Sequence, residues 1–165
     1  MGDSGSFSSR GTIPSTTIDQ LLDFYQTCRF THGVSLDSVI TEKKTKWDDT
    51  RRLPVEVDAK AVFTLEKALE FLALHRKRKA GFTPIGVIQA WSFKSATRNA
   101  RKLFEMGYDY LGLGGVANRP VNEIIELVSE IRSVIPDYVR LHVFGITRFG
   151  SLNQLNGLGI TSFDS

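Results

Sequence analysis

Short apolar runs of strand length alternate along this chain with segments of helical period, and that alternation leaves few folds open to it. The runs occupy residues 33–40 (GVSLDSVI), 83–89 (TPIGVIQ), 108–113 (YDYLGL), 140–146 and Ile160–Phe163. They are almost continuously apolar, the mark of strands buried on both faces. Residues 17–29 carry Ile18, Leu21, Leu22, Tyr25 and Cys28 at helical spacing, and Thr17 with Gln20 three places on reads as a capping box. Residues 59–79 place Val62, Leu65, Leu69 and Leu72 on one side of a long helix that Gly81 ends. Ser92 caps a third helix running to Met106 and stopped by Gly107. Pro120 opens a fourth, with Ile124, Ile125, Leu127, Val128 and Ile131 facing inward, and residues 152–158 form a short fifth. Doubly buried strands separated by helices predict the α/β class, a parallel sheet covered by helices. The alternation alone does not separate an open doubly wound sheet from a closed barrel.

With 165 residues the chain suits one domain with a real core. No apolar run approaches the roughly 20 residues that cross a bilayer, and the N-terminus lacks a charged-then-apolar signal pattern. A cytoplasmic protein without a membrane partner is the simplest expectation. One cysteine, Cys28, excludes an internal disulfide and a cysteine-rich metal site within the chain. Its neighbours make it a packed core thiol rather than a reactive one. The net charge of +3 is unevenly spread. Lys43, Lys44, Lys46, Arg51 and Arg52 crowd one segment, and Arg76, Lys77, Arg78 and Lys79 another. Such clusters attract phosphate backbones, although a charge run is equally an ordinary solvated face.

In a parallel sheet the C-terminal strand ends share one face, where sites are built. Here those ends carry Asp37, Gln89, the Gly114–Gly115 pair and Asp164. A carboxylate at the end of a buried strand is costly unless it is hydrogen-bonded or used. Each residue also has a plainer reading. Asp37 could cap a turn, Gln89 could satisfy backbone groups, paired glycines serve tight turns, and Asp164 and Asp3 stand in terminal stretches.

The segments DSGSF (3–7), GVIQAW (86–91), YDYLGLGGV (108–116), HVFG (142–145) and GITSFDS (159–165) resemble, in order and spacing, successive signatures of the tRNA-guanine transglycosylases. The wording of GVSLDSVI, of the approach to the glutamine and of HVFGITRFG is most similar to the branch that inserts 7-deazaguanine bases into DNA. The resemblance implies a (β/α)8 barrel and a pentosyltransferase that exchanges guanine in DNA or tRNA for a 7-deazaguanine base. By match to the motifs, Asp164 would be the nucleophile and Asp3 the second catalytic acid. Ser4 and Phe7 would lie against the base, while Asp37, Gln89, Gly114 and Gly115 would read its edge. Lys43, Lys44, Lys46, Arg51 and Arg52 follow the Asp37 strand, and would help hold the nucleic acid at the site face. The Arg76–Lys79 run would lie on the opposite face.

The chain departs from that pattern in extent. A complete barrel has eight strands in about 250 residues, whereas five strands are readable here. The family's cysteine- and histidine-ligated zinc module is missing, so no cofactor and no metal are expected. The chain reads as a single, incomplete barrel domain over 1–165, whose open edges would invite a second copy or a partner chain to complete it. A catalytically degenerate fragment that binds nucleic acid or a partner is the alternative. A barrel enzyme for a small phosphorylated metabolite is a third reading, suggested by the glycine pair before a helix.

Overall fold

The computed structural model describes residues 1–2, 16–146 and 157–164. Five parallel strands, β1 (His32–Val34), β2 (Thr83–Ile88), β3 (Tyr110–Leu113), β4 (Arg140–Val143) and β5 (Ile160–Phe163), lie in the spatial order β1-β2-β3-β4-β5. Between them run α1 (Ile18–Thr27), which precedes β1, and α2 (Val55–Arg78), α3 (Phe93–Met106) and α4 (Val121–Arg132). That strand order settles what the alternation left open. A doubly wound sheet reverses its order at a switch point, whereas strictly sequential right-handed crossovers put every helix on one face, as in a barrel wall. The fold is a partial α/β barrel.

Local signals set most boundaries. Thr17 and Gln20 form the capping box of α1. Ser92 caps α3 by accepting from the Ser95 N–H, and Gly107 ends it at φ 99°. Five expectations are corrected. The first strand covers only His32–Val34, because beyond it the buried backbone turns to side chains. The Ser38 N–H donates to Thr64 Oγ1 and the Ile40 N–H to Gln89 Oε1. Helix α2 starts at Val55 and buries Val57, Ala61, Thr64, Ala68, Phe71 and Leu72. Val62 and Leu69 are exposed, since the buried stripe lies one residue round the helix, about 100° away. This helix stops at Lys79, which takes the left-handed conformation (φ 49°), and not at Gly81. Cys28 is exposed because it is the C-cap of α1, where the chain leaves the core. The fifth helix falls almost wholly outside the described residues.

The main core lies between the sheet and α2, α3 and α4, around Leu103, Tyr108, Leu111, Leu127 and Leu141. On the other face Val34, Ile85, Val87 and Tyr110 pack with Phe144. Gly2 pairs in parallel with Gly33, adding backbone to the outer edge of β1. On β5, Ile160 pairs with Leu141 but Ser162 with His142, so Thr161 is an extra residue on that strand. Such a bulge re-aims the side chains beyond it, and here it brings Ser162 to the same face as His142 and Tyr110.

Candidate functional site

Parallel pairing places residues 37, 89, 114–115, 145 and 164 along one rim, each just past the C-terminal end of its strand. Asp37 and Gln89, both almost fully buried, meet there. Gln89 Nε2 donates to Asp37 Oδ2 at 2.7 Å, and Gln89 Oε1 accepts the Ile40 N–H at 3.0 Å. The amide therefore cannot flip without losing both bonds. The next pair of residues along the rim closes over it. A Cβ on Gly114 would stand 2.4 Å from Gln89 Nε2, and one on Gly115, whose φ is 70°, would stand 2.3 Å from the Ile40 carbonyl oxygen. The double glycine is thus required for packing against the glutamine, whatever else it does. The Gly114 N–H is spent on the Ile88 carbonyl.

At the other end of the rim, Asp164 Oδ1 accepts the Gly145 N–H at 2.6 Å, and its carbonyl accepts the Ile146 N–H. Its second carboxylate oxygen lies 3.5 Å from His142 Nε2, while 44% of the side chain remains exposed. His142 is buried, with Nδ1 2.6 Å from Ser162 Oγ, which is 2.6 Å from the Tyr110 hydroxyl. The Arg140 guanidinium covers the Tyr110 ring at 4.5 Å. The carboxylate is thus held by a backbone amide and backed by a polar chain across β3, β4 and β5, yet stays reachable from outside.

No family model matches the chain. Over its whole length it is 32% identical to a DNA-guanine transglycosylase of Salmonella montevideo, of which it spans 40%. Over the whole of this chain the alignment supports a likeness to the guanine transglycosylases. Resemblance and alignment agree on this across the whole sequence, and the parallel, sequentially wound strands are those of a barrel wall.

Within this chain, Asp37, Gln89, Gly114 and Gly115 form one cluster, and Asp164 stands on the same rim at the far strand. Asp3, Ser4 and Phe7 lie outside the described residues. The segment after Asp37 comes to the rim too, since the Lys44 N–H donates to the Trp91 carbonyl. Its cations are partly committed within the protein. Arg51 and Arg52 pair with Asp49, and Lys43 with Glu123 at 2.9 Å. Of the Arg76–Lys79 run, Arg78 pairs with Asp19 and Asp23, and Arg76 donates to the Gly107 carbonyl. This end of α2 immediately precedes β2 and so lies away from the rim. Among the described residues no cluster of three His, Cys, Asp or Glu side chains is placed to hold a metal ion. Likewise, no helix among them is long and apolar enough to cross a membrane.

Sequence reasoning passed over His142, Ser162, Tyr110 and Arg119. Arg119 is almost buried and bridges two rim loops, donating to the carbonyls of Gly115 and Ala90 and to Glu123 Oε1. Burial pushes the Glu123 carboxyl up, but hydrogen bonds and charge from Lys43 and Arg119 together hold it below the usual range. A carboxyl lowered by folding adds stability that is complete above its unfolded-state pKa and is lost as the pH falls through its folded value. Thermal melts should therefore show Glu123→Gln less stable than wild type near neutrality, with the gap narrowing in acid. A constant gap would show that the ion pairs contribute nothing.

Proposed function

We propose that this chain carries the guanine-exchange site of a pentosyltransferase acting on DNA, with a 7-deazaguanine as the incoming base. The observation that carries the reading is the Asp164 carboxylate: anchored at the end of β5, half exposed, and sharing a rim with the buried Asp37–Gln89 pair. Asp37 accepts from the N1–H and exocyclic amine of guanine, and Gln89 Nε2, with one hydrogen given to Asp37, offers its other toward the carbonyl edge. Gly115 lets the backbone approach the flat base, with Ser4 and Phe7 against it. The target nucleotide leaves its stack to reach this rim, and Lys43, Lys44, Lys46, Arg51 and Arg52 border its path.

In the reaction, a carboxylate oxygen of Asp164 bonds to C1′ of the sugar as the C1′–N9 bond breaks. The bonding pair leaves with N9 of guanine, which takes a proton from Asp3. N9 of the incoming 7-deazaguanine then attacks C1′, expels the carboxylate and gives its proton back to Asp3. A carboxylate suits both halves because it supports oxocarbenium-like charge at C1′ and leaves again from the ester. His142 and the Gly145 N–H hold Asp164 in line for attack.

Offering labelled guanine or a 7-deazaguanine with duplex DNA and, separately, with tRNA tests the reading. Incorporation into DNA supports it. Incorporation into tRNA alone overturns the polymer assignment. Salt-sensitive binding of DNA with no exchange and no covalent adduct would favour a non-catalytic partner, the reading that the chain's 40% share of its relative keeps open.

A further inference from the structure

The exposed face of α3 consists of Lys94, Arg98, Arg101, Lys102 and Glu105, so four of its five exposed residues are cationic. They recur at i, i+4, i+7 and i+8, which puts them on one side of the helix over about 12 Å of its length. Together with Asp48, Ser95, Thr97 and Glu105 they line a cleft against the short turn Thr45–Asp48. Elsewhere on the described surface arginines regularly have carboxylate partners: Arg51 and Arg52 on Asp49, Arg78 on Asp19 and Asp23, Arg119 on Glu123, Arg140 on Asp109. None of the four α3 cations makes an ion pair among the described residues. Arg98 lies 5.2 Å over the Trp91 ring and donates to Asn99.

Asp48, the acid nearest the head of the cleft, is already committed. It accepts from Trp91 Nε1 at 3.0 Å and Ser92 Oγ at 2.6 Å, and those bonds tie the turn to the start of α3. The turn is therefore tied to the start of α3, while none of the four cations along the cleft, which Glu105 also lines, has an ion-pair partner among the described residues. The cleft also has a direction. Helix α3 starts at Phe93, four residues after Gln89 reaches the rim, so the track begins beside the proposed base site and runs down the outside of the wall. Lys43 stands at its head, over the Phe93 ring at 5.5 Å.

We infer that the cleft between α3 and the Thr45–Asp48 turn is a binding track for the phosphate backbone of DNA flanking the target nucleotide, with Lys94, Arg98, Arg101 and Lys102 as its phosphate contacts. The choice of DNA rests on the exchange reading above; the track itself rests on charge and geometry alone. Unpaired cations in a row favour a polyanion with regularly repeated charge, and each phosphate neutralised releases condensed counterion, so binding through them carries a salt signature.

The test uses the whole chain and fluorescence anisotropy with a labelled DNA duplex. Arg101→Gln with Lys102→Gln should weaken binding at least about tenfold near 0.1 M salt and reduce the slope of log K against log salt by about two. The charge-matched Lys77→Gln with Lys79→Gln, at the far end of α2, should change affinity by less than about twofold. Both are surface changes, and matching circular dichroism melts confirm that folding is untouched. Equal effects of the two pairs, or no change in slope, overturn the track. Tighter binding of tRNA than of the duplex through the same side chains overturns its assignment to DNA. Loss of base exchange in a protein that still binds DNA through α3 counts against the exchange reading and leaves the track standing.

Discussion

Asp164→Asn is expected to reduce guanine exchange by at least about a thousandfold while leaving the protein folded and able to bind nucleic acid. The reason is chemical. The amide keeps the shape and can still accept the Gly145 N–H through its oxygen, but it lacks the charge that stabilises C1′ and cannot form the ester. His142→Phe should fall between wild type and Asp164→Asn, because it removes the imidazole behind the second oxygen without touching the carboxylate. A positioning role predicts loss in kcat with KM nearly unchanged, and a merely structural role predicts a lowered melting temperature with kcat per folded molecule preserved. Wild-type exchange by Asp164→Asn would remove the nucleophile from the account.

The second large effect is at Asp37, where two substitutions separate reading from stability. In Asp37→Asn the new amide oxygen can still accept from Gln89 Nε2, which is held in orientation by the Ile40 N–H. The new amide nitrogen then faces the base, presenting donors to the N1–H and amino group of guanine. Affinity for free guanine should fall about 10- to 100-fold by calorimetry, with little change in melting. Asp37→Ala instead removes an acceptor from a buried amide and should cost about 1–3 kcal/mol in denaturant unfolding as well as affinity. If Asp37→Asn binds guanine normally, the Asp37–Gln89 pair is structural and the base is read elsewhere.

How much of this was legible in the sequence follows the range of each interaction. Caps are written within three or four residues, so the ends of α3 at Ser92 and Gly107 and the start of α1 at Thr17 could be read directly. The shared rim was legible because parallel strands leave no choice of end, and it brought Asp37 and Gln89 into view together. Partners far apart in sequence were not. The His142–Ser162–Tyr110 chain joins three strands and depends on one extra residue at Thr161, which no local pattern announces. Arg119 reads as a loop cation until its carbonyl partners from another loop are seen. Apolar periodicity misplaced Val62 and Leu69 because small residues, Ala61 and Ala68, take the buried side of α2. Strand order, too, was beyond periodicity, and it separates a barrel wall from an open sheet.

The most direct measurement is mass spectrometry of the chain denatured after incubation with guanine-containing DNA and no incoming base. Tryptic cleavage after Arg148 releases the peptide 149–165, in which Asp164 is the sole acidic side chain. A sugar-linked mass increment on that peptide, absent from Asp164→Asn, is the predicted result. An increment on any other peptide, or an adduct that survives in Asp164→Asn, would contradict the placement of the nucleophile at the end of β5.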